Sequence, residues 1–305
     1  MLALVAAIFA AIPPHYTPSL LDARVIAVNA MIVAIAALGM TLVMISGGID
    51  LSVGSSVALA GVVAALVMKS GANPALAVLA AIGVGALCGT YNGALIVGFR
   101  IPPFIATLGT LGFFRGVAKW ISSSGMVVAS PRGLEKLAEP IPSQRWLVFA
   151  PGAWVMLALA CAMGVLLRTT TFGLRATAIG SNQEAARRAG VPVGATKIAV
   201  YTVSGLFIGI AGVMQYARLQ LGDPTVAVGL ELDVIAAVVI GGASLSGGHA
   251  SVVGAVGGAV LMAFLRNRCT TLFWPQYVQD MIVGHIIIIA VALDQWRTRR
   301  GSVTR

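Results

Sequence analysis

The chain has 305 residues, of which 58% are hydrophobic and 10% charged, against roughly a quarter charged in an ordinary soluble domain; this excludes a water-soluble globular fold and indicates a polytopic membrane protein. Twenty Lys and Arg against ten Asp and Glu give a net charge of +10, which in such a chain reads as the positive-inside bias of loops and not as a nucleic-acid footprint. Cys88, Cys161 and Cys269 are odd in number and the first two lie in apolar runs, so no disulfide framework follows.

In chain order, residues 1–12 are apolar but stop at Pro13-Pro14 and lack a basic leader. They read as a first transmembrane helix with its beginning missing, in preference to a cleaved signal peptide. Further spans are expected at 27–46, 53–68, 74–97, 103–121, 152–168, 197–217, 231–245, 250–265 and 277–294, each near the length that crosses a bilayer. That makes about ten transmembrane helices in an all-α polytopic bundle forming a single domain, 1–305. Residues 122–150 form a loop rich in Ser, Pro and charge, with a short surface helix expected near 132–138; it reads either as a solvated connector anchored by Trp146 or as a docking surface. The basic segment 168–197 and the C-terminal Arg297, Arg299, Arg300 and Arg305 are placed in the cytoplasm, which puts both termini inside and the 122–150 loop outside.

Small-residue faces recur along the spans: Gly85, Gly89 and Gly93; Gly205 and Gly209; Gly254 and Gly258. In lipid such faces let helix backbones approach closely. An internal echo matches Gly47, Gly48, Asp50 and Ser52 to Gly241, Gly242, Ser244 and Ser246. It reads either as a pair of broken helices that gate a pathway or as a duplicated turn between spans. With both turns on the cytoplasmic side, the two repeats are expected to run parallel.

The 168–197 segment is the long polar island in the second half of the chain. Ser181 with Glu184 three residues on has the pattern of a capping box opening a short helix, and Gly190 with Pro192 closes it. At 100° per residue, Asn182, Ala185, Ala186 and Ala189 share a small, smooth face, while Gln183, Glu184, Arg187 and Arg188 share a charged one.

Catalytic chemistry finds no support. Leu245-Ser246-Gly247-Gly248 resembles an ATPase signature, but no G-x-x-x-x-G-K-[ST] phosphate loop accompanies it and both flanks are membrane-like. Asp50 reads either as a helix cap at the membrane surface or as a coupling carboxylate for ions or protons. His15, His249 and His285 lack the spacing of a metal site. Inside the spans, Tyr91, Asn92, Thr107, Thr110 and Arg115, with Gln215 and Tyr216, offer hydrogen bonds that could serve either a hydroxylated solute or a neighbouring helix.

The segments GMTLVMISGGIDLSVGSSVALAG (39–61), PPFIATLGTLGFFRG (102–116), AIGSNQEAARRAGV (178–191) and GGASLSGGHASVVGAVGGAVL (241–261) resemble, in order and spacing, the ribose-type permease subunits of bacterial ABC importers. The resemblance runs from about residue 31 to 293 and departs from the pattern only at the shortened N-terminus. It implies the many-helix, type II-like importer architecture, in a bacterial inner membrane. Glu184-Ala185-Ala186 and Gly190 are similar to the signature of the cytoplasmic coupling helix that docks on an ATP-binding subunit, and Asn182 and Ala189 are assigned to the same contact.

The resemblance further implies a partner ATPase with two fused nucleotide-binding domains, a periplasmic binding protein that delivers a monosaccharide or polyol, and a second permease subunit, identical or paralogous. ATP and Mg are then bound by the partner and no cofactor by this chain, which is not itself an enzyme. The alternatives are a branched-chain amino acid ABC permease and an ion-coupled secondary transporter.

Overall fold

The computed structural model describes residues 19–143 and 147–303. The expected first helix, His15 and the Trp146 anchor lie outside the described residues. α1 (Leu20–Ile45) opens on a capping box, Ser19 Oγ accepting from Asp22 N while the Asp22 carboxylate accepts from Ser19 N. It is apolar on all sides, as suits a helix in a core or against lipid, and it lies in the core: 94% of its most apolar window is buried. The other helices pack around it.

α2 (Val53–Lys69), α3 (Pro74–Gly98), α4 (Pro103–Ile121) and α5 (Pro151–Thr169) follow. Then come two short helices, α6 (Thr171–Ser181) and α7 (Gln183–Arg188), and finally α8 (Val193–Leu219), α9 (Leu230–Ile240), α10 (Val252–Thr271) and α11 (Gln276–Val303). The only strands among the described residues are β1 (Val127–Val128) and β2 (Leu221–Gly222), paired antiparallel. The helix expected near 132–138 is a 3₁₀ turn, Leu134–Leu137.

Nine of the ten expected spans fall in described residues, and each contains a helix. Five of these, α1, α3, α5, α8 and α10, are long and apolar enough to cross a membrane. The expectation fails at 231–245. There α9 has 11 residues, about 16 Å at 1.5 Å per residue, half of the roughly 30 Å hydrocarbon core. The apolar run extends past it because the turn at Gly241 and Gly242 is flanked by Ile240 and Ala243, which hydropathy cannot tell from helix.

The glycine faces are where helices meet most closely. A Cβ built on Gly85 would strike Gly205 O and stand 2.6 Å from Gly209 N, and one on Gly93 would stand 2.8 Å from Ile198 Cα. α3 therefore runs antiparallel along α8, residue 93 near 198 and residue 85 near 205–209. Gly258 and Gly254 make the same kind of contact with Ala237 and Gly241, closing α9 and α10 into a hairpin.

These contacts fix direction. α1 runs antiparallel to α8, since Gly48 lies against Tyr201 and Gly39 against Ser204. α2 runs parallel to α8, since Gly212 lies against Val57 and Ala60, and Gly222 against Val62 and Ala65. Each long helix is followed by a break and a short reversed helix, α1 by 46–52 and α2, α8 by 220–229 and α9. α3 packs along α8 as α10 packs along α1.

The repeat is thus α1–α4 against α8–α11 in opposite orientation, which corrects the parallel repeat. The counterpart of the break at Gly47 is 220–229; the 241–251 turn corresponds to the turn between α2 and α3. The matched GG-x-x-LS strings misled because both turns need glycine at positive φ, +79° at Gly47 and +95° at Gly242.

Gly89→Leu is expected to force α3 off α8, since its Cβ would meet the Tyr201 backbone, and to cost upward of about 3 kcal/mol. Gly109→Leu, with nothing within 4 Å, should be neutral. Thermal unfolding in detergent separates the two.

Candidate functional site

The polar island folds as two helices, not one. α6 follows Thr170, whose Oγ1 accepts from Gly173 N at 3.2 Å. Ser181 is its last residue and donates Oγ to Thr177 O at 2.9 Å, so it is not the cap of the next helix. That role belongs to Asn182, whose Oδ1 accepts from Ala185 N at 2.9 Å. No capping box forms, and Glu184 instead faces Arg188 at 3.3 Å, both exposed. The expected stop holds: Gly190 adopts φ +83° and Val191 N donates back to Ala186 O at 3.0 Å.

The face assignment needs one correction. Ala186 is 4% exposed and packs on Ile179, Val191 and Val193, so it fastens α7 to its own chain and is not free for a partner. Asn182, Glu184, Ala185, Ala189 and Gly190 are exposed. Lys197 Nζ donates to Gln183 Oε1 at 2.6 Å, tying α7 to the start of α8.

α6 carries this platform onto the broken helices. A Cβ on Gly180 would overlap Ile45 O and lie 2.6 Å from Gly248 N, while Gly248 N donates to Ile45 O at 2.9 Å. A Cβ on Gly247 would lie 2.9 Å from both Gly180 O and Gly47 Cα. Three backbones meet here without side chains between them: the end of α1, the end of α6 and the α9–α10 turn. Gly47 sits in this junction. Gly241, Gly242, Ser244 and Ser246 belong to the α9–α10 turn, where Ser244 N donates to His249 O at 3.0 Å and Gly242 O faces His249 Nδ1 at 3.3 Å.

Beyond Gly48 the chain turns back inward. Asp50 is 1% exposed; its Oδ1 accepts from Ser52 N at 2.8 Å and from Ser52 Oγ at 2.6 Å. Asn92 of α3 donates Nδ2 to Ser52 Oγ at 2.8 Å and accepts from Thr110 Oγ1 of α4 at 2.7 Å. Thr107 Oγ1 lies 3.2 Å from Ile49 O and 2.9 Å from Pro103 O. Asp50, Ser52, Asn92 and Thr110, singled out separately in the sequence, therefore form one closed network that fixes the α1–α2 break. Asp50 acts as the anchor of an Asx turn at the mouth of α2, in the interior and not at a surface.

The second break is held from α4. Arg115 Nη1 donates to Pro224 O at 2.9 Å and Val226 O at 2.6 Å, satisfying carbonyls that a re-entrant segment leaves open. Glu231 Oε1 accepts from Gly229 N at 3.3 Å. A Cβ on Gly54 would meet Ala227 O and Glu231 Oε2, so the starts of α2 and α9 face each other, each with a carboxylate set against the positive end of its helix dipole. Tyr91 stands apart from the other pathway candidates: it is 44% exposed and stacks on Phe113 at 5.7 Å.

Sequence reading passed over Gly180, Tyr201, Glu231, and the pair Asp233–Arg266, in which Nε and Nη2 reach Oδ2 and Oδ1 at 2.8 and 2.9 Å. Glu231 and Asp233 carried the same signal as Asp50, an acid within an apolar run, and could have been found by it.

The chain matches the family described as "Branched-chain amino acid transport system / permease component" over residues 24–291. It is 38% identical over 261 residues to the ribose import permease of Escherichia coli K12, covering 86% of this chain and 81% of that one. It is 36% identical over 296 residues to the L-arabinose ABC transporter permease of Azospirillum brasilense, covering 97% and 86%. With the autoinducer 2 import system permease of Photorhabdus luminescens it shares 32% over 280 residues, covering 92% and 83%. No solved structure matches it.

Asn92→Leu removes the donor to Ser52 and the acceptor of Thr110, and should cost about 2 to 3 kcal/mol; Thr110→Val should cost about 1 kcal/mol. Both are read as a fall in the unfolding midpoint in detergent, the larger fall for Asn92.

Proposed function

Because the chain belongs to the branched-chain amino acid transport system / permease component family, we propose that it is the membrane-spanning subunit of an ATP-driven importer and that its cargo is a monosaccharide. One observation carries the choice of cargo: relatives named for ribose and L-arabinose align at 36–38% identity over more than four fifths of both chains. That outweighs the amino acid in the family's description. The chain is a permease and not an enzyme; ATP and Mg belong to a separate ATP-binding subunit with two fused nucleotide-binding domains. A periplasmic binding protein delivers the sugar, and a second copy or a paralogue completes the pore.

The α6–α7 end carries the Arg168, Arg175, Arg187, Arg188 and Lys197 cluster, and α11 runs toward it. By the positive-inside bias it is the cytoplasmic end of a bacterial inner-membrane protein. The 122–150 loop faces the binding protein. α7 is the coupling helix, and its outward residues, Glu184, Ala185 and Ala189 with Asn182 at its start, meet the ATPase. Ala186 acts from behind by holding α7 on α6 and α8.

The family's switch between inward and outward openings requires contacts that differ between two states. The Gly180 junction supplies the route, because a displacement of α6 moves the ends of α1 and of the α9–α10 hairpin together. The closed network around Asp50 argues against ion coupling through that residue, whose Oδ1 already accepts from both groups of Ser52.

Ala185→Glu places a charge on the exposed side of α7 without touching its buried side. In proteoliposomes holding the permease, its ATPase and its binding protein, sugar uptake should fall at least tenfold with the amount of permease in the membrane unchanged. Uptake at the normal rate contradicts the assignment of α7. Uptake of leucine or valine, with none of a panel of pentoses and hexoses, contradicts the cargo.

A further inference from the structure

Between α5 and α10, at the α6–α7 end, lies a groove of about 1050 Å³, at the top of the size range of small-molecule sites. Along α5 it is lined by Leu157, Ala160, Cys161, Gly164, Val165 and Arg168, the i, i+3, i+4, i+7 spacing of one helix face. Val253 and Val256 of α10 stand across it. Leu157, Val165 and Val253 are exposed, so the groove opens sideways from the bundle, toward lipid. Small residues make it deep: a Cβ on Gly164 would find nothing within 4 Å.

The rise from Leu157 to Arg168 is about 16 Å at 1.5 Å per residue, close to half of the roughly 30 Å hydrocarbon core. The groove therefore has the depth of one leaflet. Its α5 wall is apolar until the cytoplasmic end of the helix, where Arg168 is exposed and forms no ion pair among the described residues. No acidic residue lines the groove. α10 begins at the same end, where Ser251 Oγ accepts from Gly254 N at 3.1 Å and the first-turn N–H groups of Val252 and Val253 belong to the positive end of the helix dipole. The result is an apolar trough with a positive mouth. Water does not fill an apolar trough, and left empty its walls would forfeit their dispersion contacts, so a hydrocarbon chain is its natural occupant.

We propose that this groove binds one anionic phospholipid of the cytoplasmic leaflet, its phosphate at Arg168 and the start of α10 and an acyl chain along Ala160, Gly164 and Val256. The proposal goes beyond the cargo reading and takes from it only the orientation of the α6–α7 end. A free phosphate would leave the trough empty, and a zwitterionic lipid would bring a cation of its own to Arg168; an anionic lipid satisfies both ends. Ile45, Thr177 and Gly248 form the inner wall, so the bound lipid lies against the junction at Gly180.

The test adds dioleoylphosphatidylglycerol or dioleoylphosphatidylcholine, alike in acyl chains and unlike in charge, to the purified permease in detergent and counts bound lipids by native mass spectrometry. The first anionic lipid should bind at least tenfold more tightly than the first zwitterionic one. Arg168→Gln should lower that preference at least fivefold, whereas Arg175→Gln, at an exposed arginine outside the groove, should change it by less than a factor of 1.5. Gly164→Leu fills the trough in open space, so the affinity for the anionic lipid should fall at least fivefold with the unfolding midpoint unchanged. Gly109→Leu, equally open but on α4, should bind as the unaltered chain does. Equal affinity for the two lipids, or a Gly164→Leu protein that keeps the anionic lipid, overturns the site. An effect of Arg175→Gln as large as that of Arg168→Gln overturns it too, marking a diffuse attraction to the basic end. Conversion of a dimer to a monomer by Gly164→Leu gives the groove to a second copy and overturns the lipid likewise.

Discussion

At Gly180 the backbone of α6 lies so close to Ile45 O and Gly248 N that no side chain fits between them. Backbone contacts of this kind do not slide or swing as side-chain contacts do, because packed interiors shift between discrete arrangements instead of deforming smoothly. The end of α1, the most buried of the five long apolar helices, and the turn that reverses α9 into α10 are therefore held to the same element that carries α7. Ala186 and the Lys197–Gln183 bond complete the linkage by fixing α7 to α6 and α8. A force applied to a six-residue helix, too short to be stable alone, has a rigid route into the membrane.

The two breaks give that route something to act upon. α1 and α8 each continue as a reversed, shorter helix, and the two shorter helices start against each other at Gly54, Ala227 and Glu231. Broken helices expose backbone groups that must be satisfied, and the chain does so differently on its two sides. Around Asp50 the side chains bond to one another, Asp50 with Ser52, Ser52 with Asn92 of α3, and Asn92 with Thr110 of α4. At the second break Arg115 of α4 takes up the carbonyls of Pro224 and Val226.

Much of this was legible in the sequence. Composition and apolar runs placed nine helices in the described residues, and the glycine triplet Gly85, Gly89 and Gly93 marked the α3–α8 contact. The family resemblance held over 24–291. The failures share a cause: hydropathy and spacing report what a segment is, not what it faces. The 231–245 run looked like a span because the turn after α9 is as apolar as the helix. Ala186 looked like part of a docking face because the helical period cannot tell an outward alanine from an inward one. The Asn182 cap was hidden by the neighbouring Ser181, which satisfies the same rule. Gly180 carried no mark in the sequence, since its importance lies in residues 45 and 248, far from it along the chain. The inverted orientation of the repeats needed the pairing of α1 with α8, which only contacts disclose.

The central claim is that motion passes from α7 into the membrane through the Gly180 junction, and the most direct measurement is the number of sugar molecules imported per ATP hydrolysed by the assembled importer carrying Gly180→Ala. The added methyl group displaces Ile45 and Gly248 from α6 without altering the outward residues of α7, so the ATPase should still co-purify and hydrolyse ATP while import per ATP falls at least tenfold. An unchanged ratio, in a complex that assembles normally, would contradict the account.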